Sequence, residues 1–319
     1  MKLNDIENAA HQLAPYIHRT PLLTSRTISS LVGSQVRLKA ENLQRAGSFK
    51  IRGAMNKLLS LSTAQRSGGV VAFSSGNHAQ GVALAAGLLG IKATIVMPED
   101  AIPIKVSATK SYGAEVVQAG VNAATRSQVA SDLVNKTGAT LVPPFDDPFI
   151  VAGQGTIGLE IMQEWPEVDT VVVPMGGGGL LSGITFALKE LNAKIRIYGV
   201  EPEAGNDGQR SLHTGKIVTI DPPKTIADGA RTTAIGELPF SIIRERIEDI
   251  VTVPDEALLG AIRLLAIHSK IIVEPTGALA VAALLMGKIP AHKNTIAVLS
   301  GGNVTPEILS QALSRRDMF

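Results

Sequence analysis

Short aliphatic runs recur along the chain, separated by longer stretches of helical periodicity. The runs Val36–Lys39, Val70–Phe73, Ala93–Met97, Glu115–Gln118, Thr170–Pro174, Ile195–Val200, Asp249–Val253 and Thr295–Leu299 predict strands. Between many of them, Asn77–Leu89, Asn122–Lys136, Phe149–Glu164 and Leu180–Leu191 predict helices. Strand, helix and strand in repetition give right-handed crossovers and open parallel sheets. Residues 69–146 form a βαβα subset bounded by Ser67-Gly68-Gly69 and by Pro143-Pro144-Phe145-Asp146-Asp147-Pro148. This subset predicts a smaller domain inserted between residues 1–68 and 147–319, which make up the larger one. Ligands of open α/β sheets bind beyond the carboxyl ends of strands, so the chain's motifs are expected to meet there, between the two domains.

Composition narrows this picture. Hydrophobic residues make up 45% of the chain, charged residues 18% and aromatic residues 3%. The core must therefore be aliphatic, as buried parallel strands under helices require. There is no cysteine, which excludes disulfides, thiolate nucleophiles, zinc ribbons and iron–sulfur clusters. With 30 basic and 28 acidic residues, the charge gives no case for nucleic acid or an anionic membrane as partner. No charge-free apolar run reaches the roughly 18 residues of a membrane helix. The start, MKLNDIENAAHQ, carries early acids and no apolar h-region, so it does not read as a secretory signal. A cytosolic protein is expected.

Four motifs carry candidate chemistry. In Gly47-Ser48-Phe49-Lys50-Ile51-Arg52-Gly53-Ala54 a lysine follows an aromatic residue in an apolar setting. Burial lowers a lysine's pKa and frees a nucleophilic amine for a Schiff base; position alone does not distinguish this from a surface charge. Pro174-Met175-Gly176-Gly177-Gly178-Gly179-Leu180-Leu181-Ser182-Gly183 follows a strand and opens a helix. Successive glycines there turn backbone N–H groups onto a phosphate, helped by the helix dipole. The stretch lacks the spacing and acidic partner of a dinucleotide loop and the ending of a P-loop. Ser74-Ser75-Gly76-Asn77-His78 lies at a strand-to-helix turn. It suits either simple helix capping or a cradle for a substrate carboxylate, and His78 could equally cap or pack. Finally, Ser300-Gly301-Gly302-Asn303 follows an apolar strand, where the hydroxyl of Ser300 could meet a pyridine nitrogen.

In this order the four motifs resemble the fold type II pyridoxal-phosphate enzymes, over essentially the whole chain. Within them the chain is most similar to the threonine dehydratase and serine racemase group. That likeness is carried by His18-Arg19-Thr20-Pro21-Leu22, Glu41-Asn42-Leu43-Gln44, Ala152-Gly153-Gln154-Gly155-Thr156 and Glu274-Pro275-Thr276-Gly277. The resemblance implies an α/β fold of two open, mainly parallel twisted sheets flanked by helices, in a homodimer or higher homo-oligomer. It makes Lys50 the covalent anchor of pyridoxal 5'-phosphate and the catalytic base, with Phe49 beside the ring. Gly176, Gly177, Gly178, Gly179 and Leu180 would hold the phosphate, Asn77 the phenolic oxygen and Ser300 the ring nitrogen. Ser74, Ser75, Gly76, Asn77 and His78 would bind the amino-acid substrate. Arg126 falls where the racemase branch places a carboxylate-binding arginine, although an arginine on such a helix also suits solvent.

Two further implications concern a metal and the reaction. Glu201-Pro202-Glu203-Ala204-Gly205-Asn206-Asp207 is similar to a divalent-metal segment of the racemase branch. Glu201, the Gly205 carbonyl and Asp207 would offer oxygen donors to Mg²⁺ or Ca²⁺. The expected reaction is elimination of water from L-threonine or L-serine. The rivals are racemisation, for which Ser75 stands where that group carries its second proton donor, and dehydration of 3-hydroxyaspartate, which the 205–209 stretch also resembles. A non-catalytic amino-acid or nucleotide sensor is disfavoured by the retention of Lys50 and Ser300. The chain stops soon after Ser300 without the regulatory domain of biosynthetic threonine dehydratases, so feedback through one is not expected.

Overall fold

The computed structural model describes residues 1–122 and 125–315. The strands are β1 (Leu22–Thr24), β2 (Gln35–Lys39), β3 (Val70–Phe73), β4 (Ala93–Val96), β5 (Glu115–Val117), β6 (Thr140–Leu141), β7 (Thr170–Pro174), β8 (Arg196–Pro202), β9 (Asp249–Val253) and β10 (Asn294–Val298). The first helices are α1 (Leu3–Leu13), α2 (Arg26–Val32), α3 (Lys50–Leu59), α4 (Thr63–Gly68), α5 (Asn77–Leu89), α6 (Pro103–Ser111) and α7 (Arg126–Thr137). They are followed by α8 (Pro148–Glu164), α9 (Gly179–Leu191), α10 (Asp207–Thr214), α11 (Glu237–Ile243), α12 (Asp255–Leu264), α13 (Pro275–Leu285) and α14 (Pro306–Ser314).

The strands form two sheets. One has six strands in the order β1-β2-β10-β7-β8-β9, parallel except where β1 pairs antiparallel with β2 at the edge. The other has four parallel strands in the order β5-β4-β3-β6 and uses only residues 70–141. Every residue of β7 is buried, as its Thr-Val-Val-Val-Pro sequence requires of an inner parallel strand covered on both faces. Helix α13 is buried from Pro275 to Leu284. It is apolar on all sides and so belongs inside the core rather than on its surface. Pro275 starts it at a position where a missing N–H costs nothing.

Glycines set the distances between the helices that carry the site. A Cβ at Gly153 of α8 would stand 2.6 Å from the Arg52 carbonyl oxygen and 2.7 Å from Gly53 Cα of α3. These two helices therefore cross backbone to backbone. A Cβ at Gly81 of α5 would stand 3.1 Å from the Lys50 carbonyl carbon, so α5 presses on the first turn of α3.

All the strands expected from the sequence are present, with ends displaced by a residue or two. The short strands β1 and β6 were not expected: two or three residues carry no alternation to read. Helix α7 begins at Arg126 rather than Asn122. Residues 123 and 124, in its expected first turn, lie outside the described residues.

Candidate active site

Three of the four motifs follow neighbouring strands of the six-stranded sheet. The lysine motif lies beyond β2, the Ser300 turn beyond β10 and the glycine loop beyond β7. Two backbone hydrogen bonds stitch the first pair together, Phe49 N–H to the Ser300 carbonyl at 3.2 Å and Gly302 N–H to the Gly47 carbonyl at 2.8 Å. The fourth motif follows β3 of the other sheet and reaches the same place, since Asn77 hydrogen-bonds Asn303 at 2.8 Å.

Lys50 is the first residue of α3 and is partly buried. Its Nζ donates to the Pro144 carbonyl at 2.8 Å and lies 5.2 Å from the Phe49 ring centre. Burial lowers its pKa from 10.5 to about 8, against the pull of the Glu274 carboxylate in the other direction. A neutral amine is therefore accessible near neutral pH.

The Ser300 side chain is 98% buried, and its hydroxyl has no hydrogen-bond partner among the described residues. Such a group is costly unless a ligand completes it. Beside it the glycine loop is crowded on all sides. A Cβ at Gly176 would come 2.9 Å from the Gly229 carbonyl, and one at Gly178 would come 2.8 Å from Pro239. One at Gly177 would collide with the Phe145 ring. Gly178 also has φ +88°, the left-handed region that favours glycine. The loop ends in the first turn of α9, whose leading N–H groups, including those of Gly179 and Leu180, have no acceptor within the helix. These features fit a phosphate at the loop and a pyridine nitrogen at Ser300.

In the Ser74–His78 turn, Ser74 Oγ accepts from Gly76 N–H at 3.2 Å, and Ser75 is partly buried beside it. His78 is buried, and its Nε2–H donates to the Val142 carbonyl at 2.9 Å. Burial, reinforced by the Lys50 charge, lowers the pKa of His78 to about 3, so the ring is neutral. This bond ties α5 to the segment after β6. Arg126 opens α7, which packs on β3, β4 and β6. The parallel topology puts its first turn at the carboxyl edge of these strands, the edge that carries Ser74–Asn77. Burial lowers its pKa.

Several motifs that carry the resemblance build the platform under Lys50. Arg52, fully buried, donates to both oxygens of Glu41 at 2.8 and 2.9 Å and to Glu160 at 2.6 and 3.0 Å. Thr20 donates to Glu41 at 2.5 Å, and Lys39 to Glu160 at 2.5 Å. Desolvation works against the Arg52 charge, but the attraction of Glu41 and Glu160 outweighs it and raises its pKa. Gln154 accepts from Gly53 N–H at 3.2 Å.

A second group of charges was not foreseen. Glu274, 1% exposed, accepts from Asn77 Nδ2 at 2.5 Å through Oε1, while its Oε2 has no partner among the described residues. Burial pushes its pKa up to about 7 and the Asp228 charge adds to this; Lys105, the Asn77 hydrogen bond and Lys50 pull it down. Lys105 of α6 forms an ion pair with Asp228. A Cβ at Gly76 would be 4.0 Å from Lys105 Nζ and 3.9 Å from Asp228 Oδ2, so the pair lies over the serine turn. The sequence signal for Glu274 is its place at the head of Glu274-Pro275-Thr276-Gly277, a motif that by itself gives it no role. Lys105 and Asp228, 123 positions apart, offer none.

Away from this cluster, Glu201 and Asp207 are both fully buried. Glu201 accepts from Gly208 N–H at 3.0 Å and Gln209 N–H at 2.9 Å, whereas neither oxygen of Asp207 has a partner among the described residues. Burial, followed by the Asp207 charge, pushes Glu201 well above the usual carboxylate range, and burial pushes Asp207 up to about 7. Two such carboxylates, beside the turn that carries Gly205, are oxygen donors of the kind a hard cation takes. Among the described residues no group of three or more His, Cys, Asp or Glu side chains is arranged for a metal, so the Gly205 carbonyl would have to serve as third donor.

The fold and this convergence of lysine, glycine loop and serine define a pyridoxal-phosphate enzyme. The chain belongs to the pyridoxal-phosphate dependent enzyme family, which it matches over residues 13–301. It is 47% identical to the L-threo-3-hydroxyaspartate ammonia-lyase of Saccharomyces cerevisiae, over 98% of this chain and 96% of that one. It is 45% identical to the serine racemase of Schizosaccharomyces pombe, over 98% and 97%. The solved structure of maize serine racemase superposes with a TM-score of 0.94 at 39% identity, covering 98% of this chain and 96% of that one. The two-sheet α/β architecture is that of fold type II. No helix among the described residues is long and apolar enough to cross a membrane.

Proposed function

We propose that this chain is an ammonia-lyase that eliminates water from a β-hydroxy amino acid, with L-threonine and L-serine as substrates. The observation that carries this reading is Lys50 Nζ, held near pKa 8 by burial, where the glycine loop and the unpartnered Ser300 hydroxyl converge. Bound pyridoxal phosphate supplies an electron sink for negative charge at the substrate's α-carbon.

The chain's own residues do the rest. Gly176 to Leu180 would hold the phosphate on the α9 terminus, Asn77 would donate to the ring oxygen, and Phe49 would back the ring. Ser300 would meet the ring nitrogen as a neutral hydroxyl rather than a charged partner. Ser74 to Asn77 hold the substrate carboxylate, and Lys50 Nζ takes the α-proton as general base. The net change is a β-hydroxy amino acid to a 2-oxo acid and ammonium, because the water lost in elimination balances the water used to release ammonia. Glu201, Asp207 and the Gly205 carbonyl hold Mg²⁺ or Ca²⁺ away from the reacting atoms.

A second reading is dehydration of 3-hydroxyaspartate. It is favoured by Lys105, a cation over the serine turn that could exchange Asp228 for a substrate's second carboxylate. Both readings are tested by identifying products from L-threonine, L-serine, D-serine and 3-hydroxyaspartate. Turnover of threonine to 2-oxobutanoate and serine to pyruvate supports the first. Oxaloacetate from 3-hydroxyaspartate with no product from threonine or serine overturns it in favour of the second.

A further inference from the structure

Asn77 is held at both ends of its amide. Its Nδ2 donates to Glu274 Oε1 at 2.5 Å, and its Oδ1 accepts from Asn303 Nδ2 at 2.8 Å. Asn303 Nδ2 also donates to the Ala46 carbonyl at 2.9 Å. A backbone carbonyl can only accept, and an amide NH₂ can only donate. The Ala46 carbonyl therefore fixes which end of Asn303 faces inward, and Asn303 in turn fixes Asn77. A flipped Asn77 would set NH₂ against NH₂ at one end. The polarity runs in one direction from the Ala46 carbonyl to the Glu274 carboxylate.

This arrangement leaves Asn77 one uncommitted N–H on Nδ2. The same nitrogen faces the Ser300–Gly301 turn, since a Cβ at Gly301 would stand 3.1 Å from it. That Cβ would also collide with Glu274 Oε1, so a glycine is needed where this chain meets the cofactor site. The other oxygen of Glu274 has no partner among the described residues. Keeping a 99% buried acid with one oxygen unsatisfied is costly.

We propose that Glu274 and Asn303 are positioning residues that lock the Asn77 amide, so that it can only donate to the cofactor's ring oxygen. This rests on the reading of Asn77 as the ring-oxygen contact. A ring oxygen that meets only a donor stays a phenolate, and the proton it would otherwise carry stays on the nitrogen that joins the cofactor to Lys50. The Glu274 carboxylate, within electrostatic reach of Lys50, favours the proton there. Asp228, Lys105 and Lys50 are the charged groups that act on Glu274. When Glu274 takes up a proton, the Ala46 and Asn303 end still holds the polarity.

The test uses the purified holoenzyme and reads its absorption spectrum against pH, its cofactor dissociation constant and its Tm. Asn303→Asp cannot donate, and Asn303→Ala combined with Glu274→Gln frees Asn77 to turn without adding a charge, because a glutamine amide can meet either end of it. In both, the visible band of the protonated linkage should give way to the near-ultraviolet band of the phenol form, and cofactor should bind about tenfold more weakly, roughly the loss of one hydrogen bond. Glu274→Gln keeps an acceptor but loses the charge. Its visible band should persist at neutral pH and disappear about one pH unit lower than in the wild type. Asn77→Ala tests the reading underneath. If it shifts the spectrum while the Asn303 and Glu274 variants keep wild-type spectra, pH profiles and Tm, the lock is wrong and the contact stands. If Asn77→Ala leaves the spectrum unchanged, the contact is wrong and the lock falls with it.

Discussion

Lys105 and Asp228 join the two sheets with an ion pair. Lys105 is carried by α6 beside the four-stranded sheet, and Asp228 by the turn at 228–230 that borders the glycine loop. Their side chains are 5% and 21% exposed, so the pair is largely removed from water.

Asp228→Asn should therefore lower stability, because a buried ammonium would lose its partner. Breaking such a pair on one side costs roughly 3–5 kcal/mol, and the partial exposure of Asp228 places this one at the low end. Lys105→Met combined with Asp228→Asn should recover part of the loss, since no stranded charge remains. Urea unfolding of the single and double variants checks this. Equal stability of wild type and Asp228→Asn would show that the pair contributes nothing.

The nucleophilicity of Lys50 should follow its lowered pKa. In cofactor-free protein, only the neutral amine attacks the cofactor's aldehyde. With a pKa of about 8 rather than 10.5, the amine gains reactivity as pH rises through about 8. Recombination rates from pH 6 to 10 should level off above that midpoint. A rate still climbing at pH 10 would mean that burial does not depress this lysine.

How much of this was legible in the sequence depended on whether a residue's neighbours in the chain declared its setting. Gly176 to Gly179 did so, because four glycines between an apolar strand and a helix have few other uses. Lys50 and Ser300 did so only in company with that loop and with each other. Glu274 stands in a motif that carries the likeness but assigns it no role, since nothing local shows that α13 carries it beneath Asn77. Asn303 reads as part of a turn, and its bond to Asn77 spans 226 positions. Arg52 stands inside the lysine motif, yet its partners Glu41 and Glu160 come from elements that only the crossing of α3 and α8 brings together. Contacts between distant segments follow from topology, which periodicity predicts in outline but not residue by residue.

Removal of divalent metal should lower Tm, with Mg²⁺ or Ca²⁺ restoring it, because a ligand bound only by the native state stabilises that state by mass action. Asp207→Asn should abolish the response. It should also make the metal-free protein more stable than metal-free wild type, because it removes a buried carboxylate whose two oxygens have no partner among the described residues. Thermal melts of both proteins in excess chelator and in added Mg²⁺ decide the matter. A wild-type melting curve indifferent to chelator, with no metal in the isolated protein, would remove the cation from Glu201 and Asp207.

Ser75 should separate elimination from racemisation. It lies in the turn after β3, on the four-stranded sheet, whereas Lys50 comes from the α3 side beyond β2. The two residues can therefore serve opposite faces of the substrate's α-carbon. Lys50 takes the proton of an L-substrate by itself, so Ser75→Ala should leave most elimination from L-serine and L-threonine. The same change should abolish both D-serine formation and elimination from D-serine, which need a proton moved on the far face. In the wild type, racemisation should be the minor outcome, because elimination needs only Lys50 whereas racemisation needs Lys50 and Ser75 to move protons on both faces. Following pyruvate and D-serine together from L-serine, in wild type and variant, checks both statements. If D-serine outpaces pyruvate in the wild type, the chain is primarily a racemase. If Ser75→Ala instead abolishes elimination from the L-substrates, Ser75 is needed to bind the carboxylate, and the two faces are not divided between these residues.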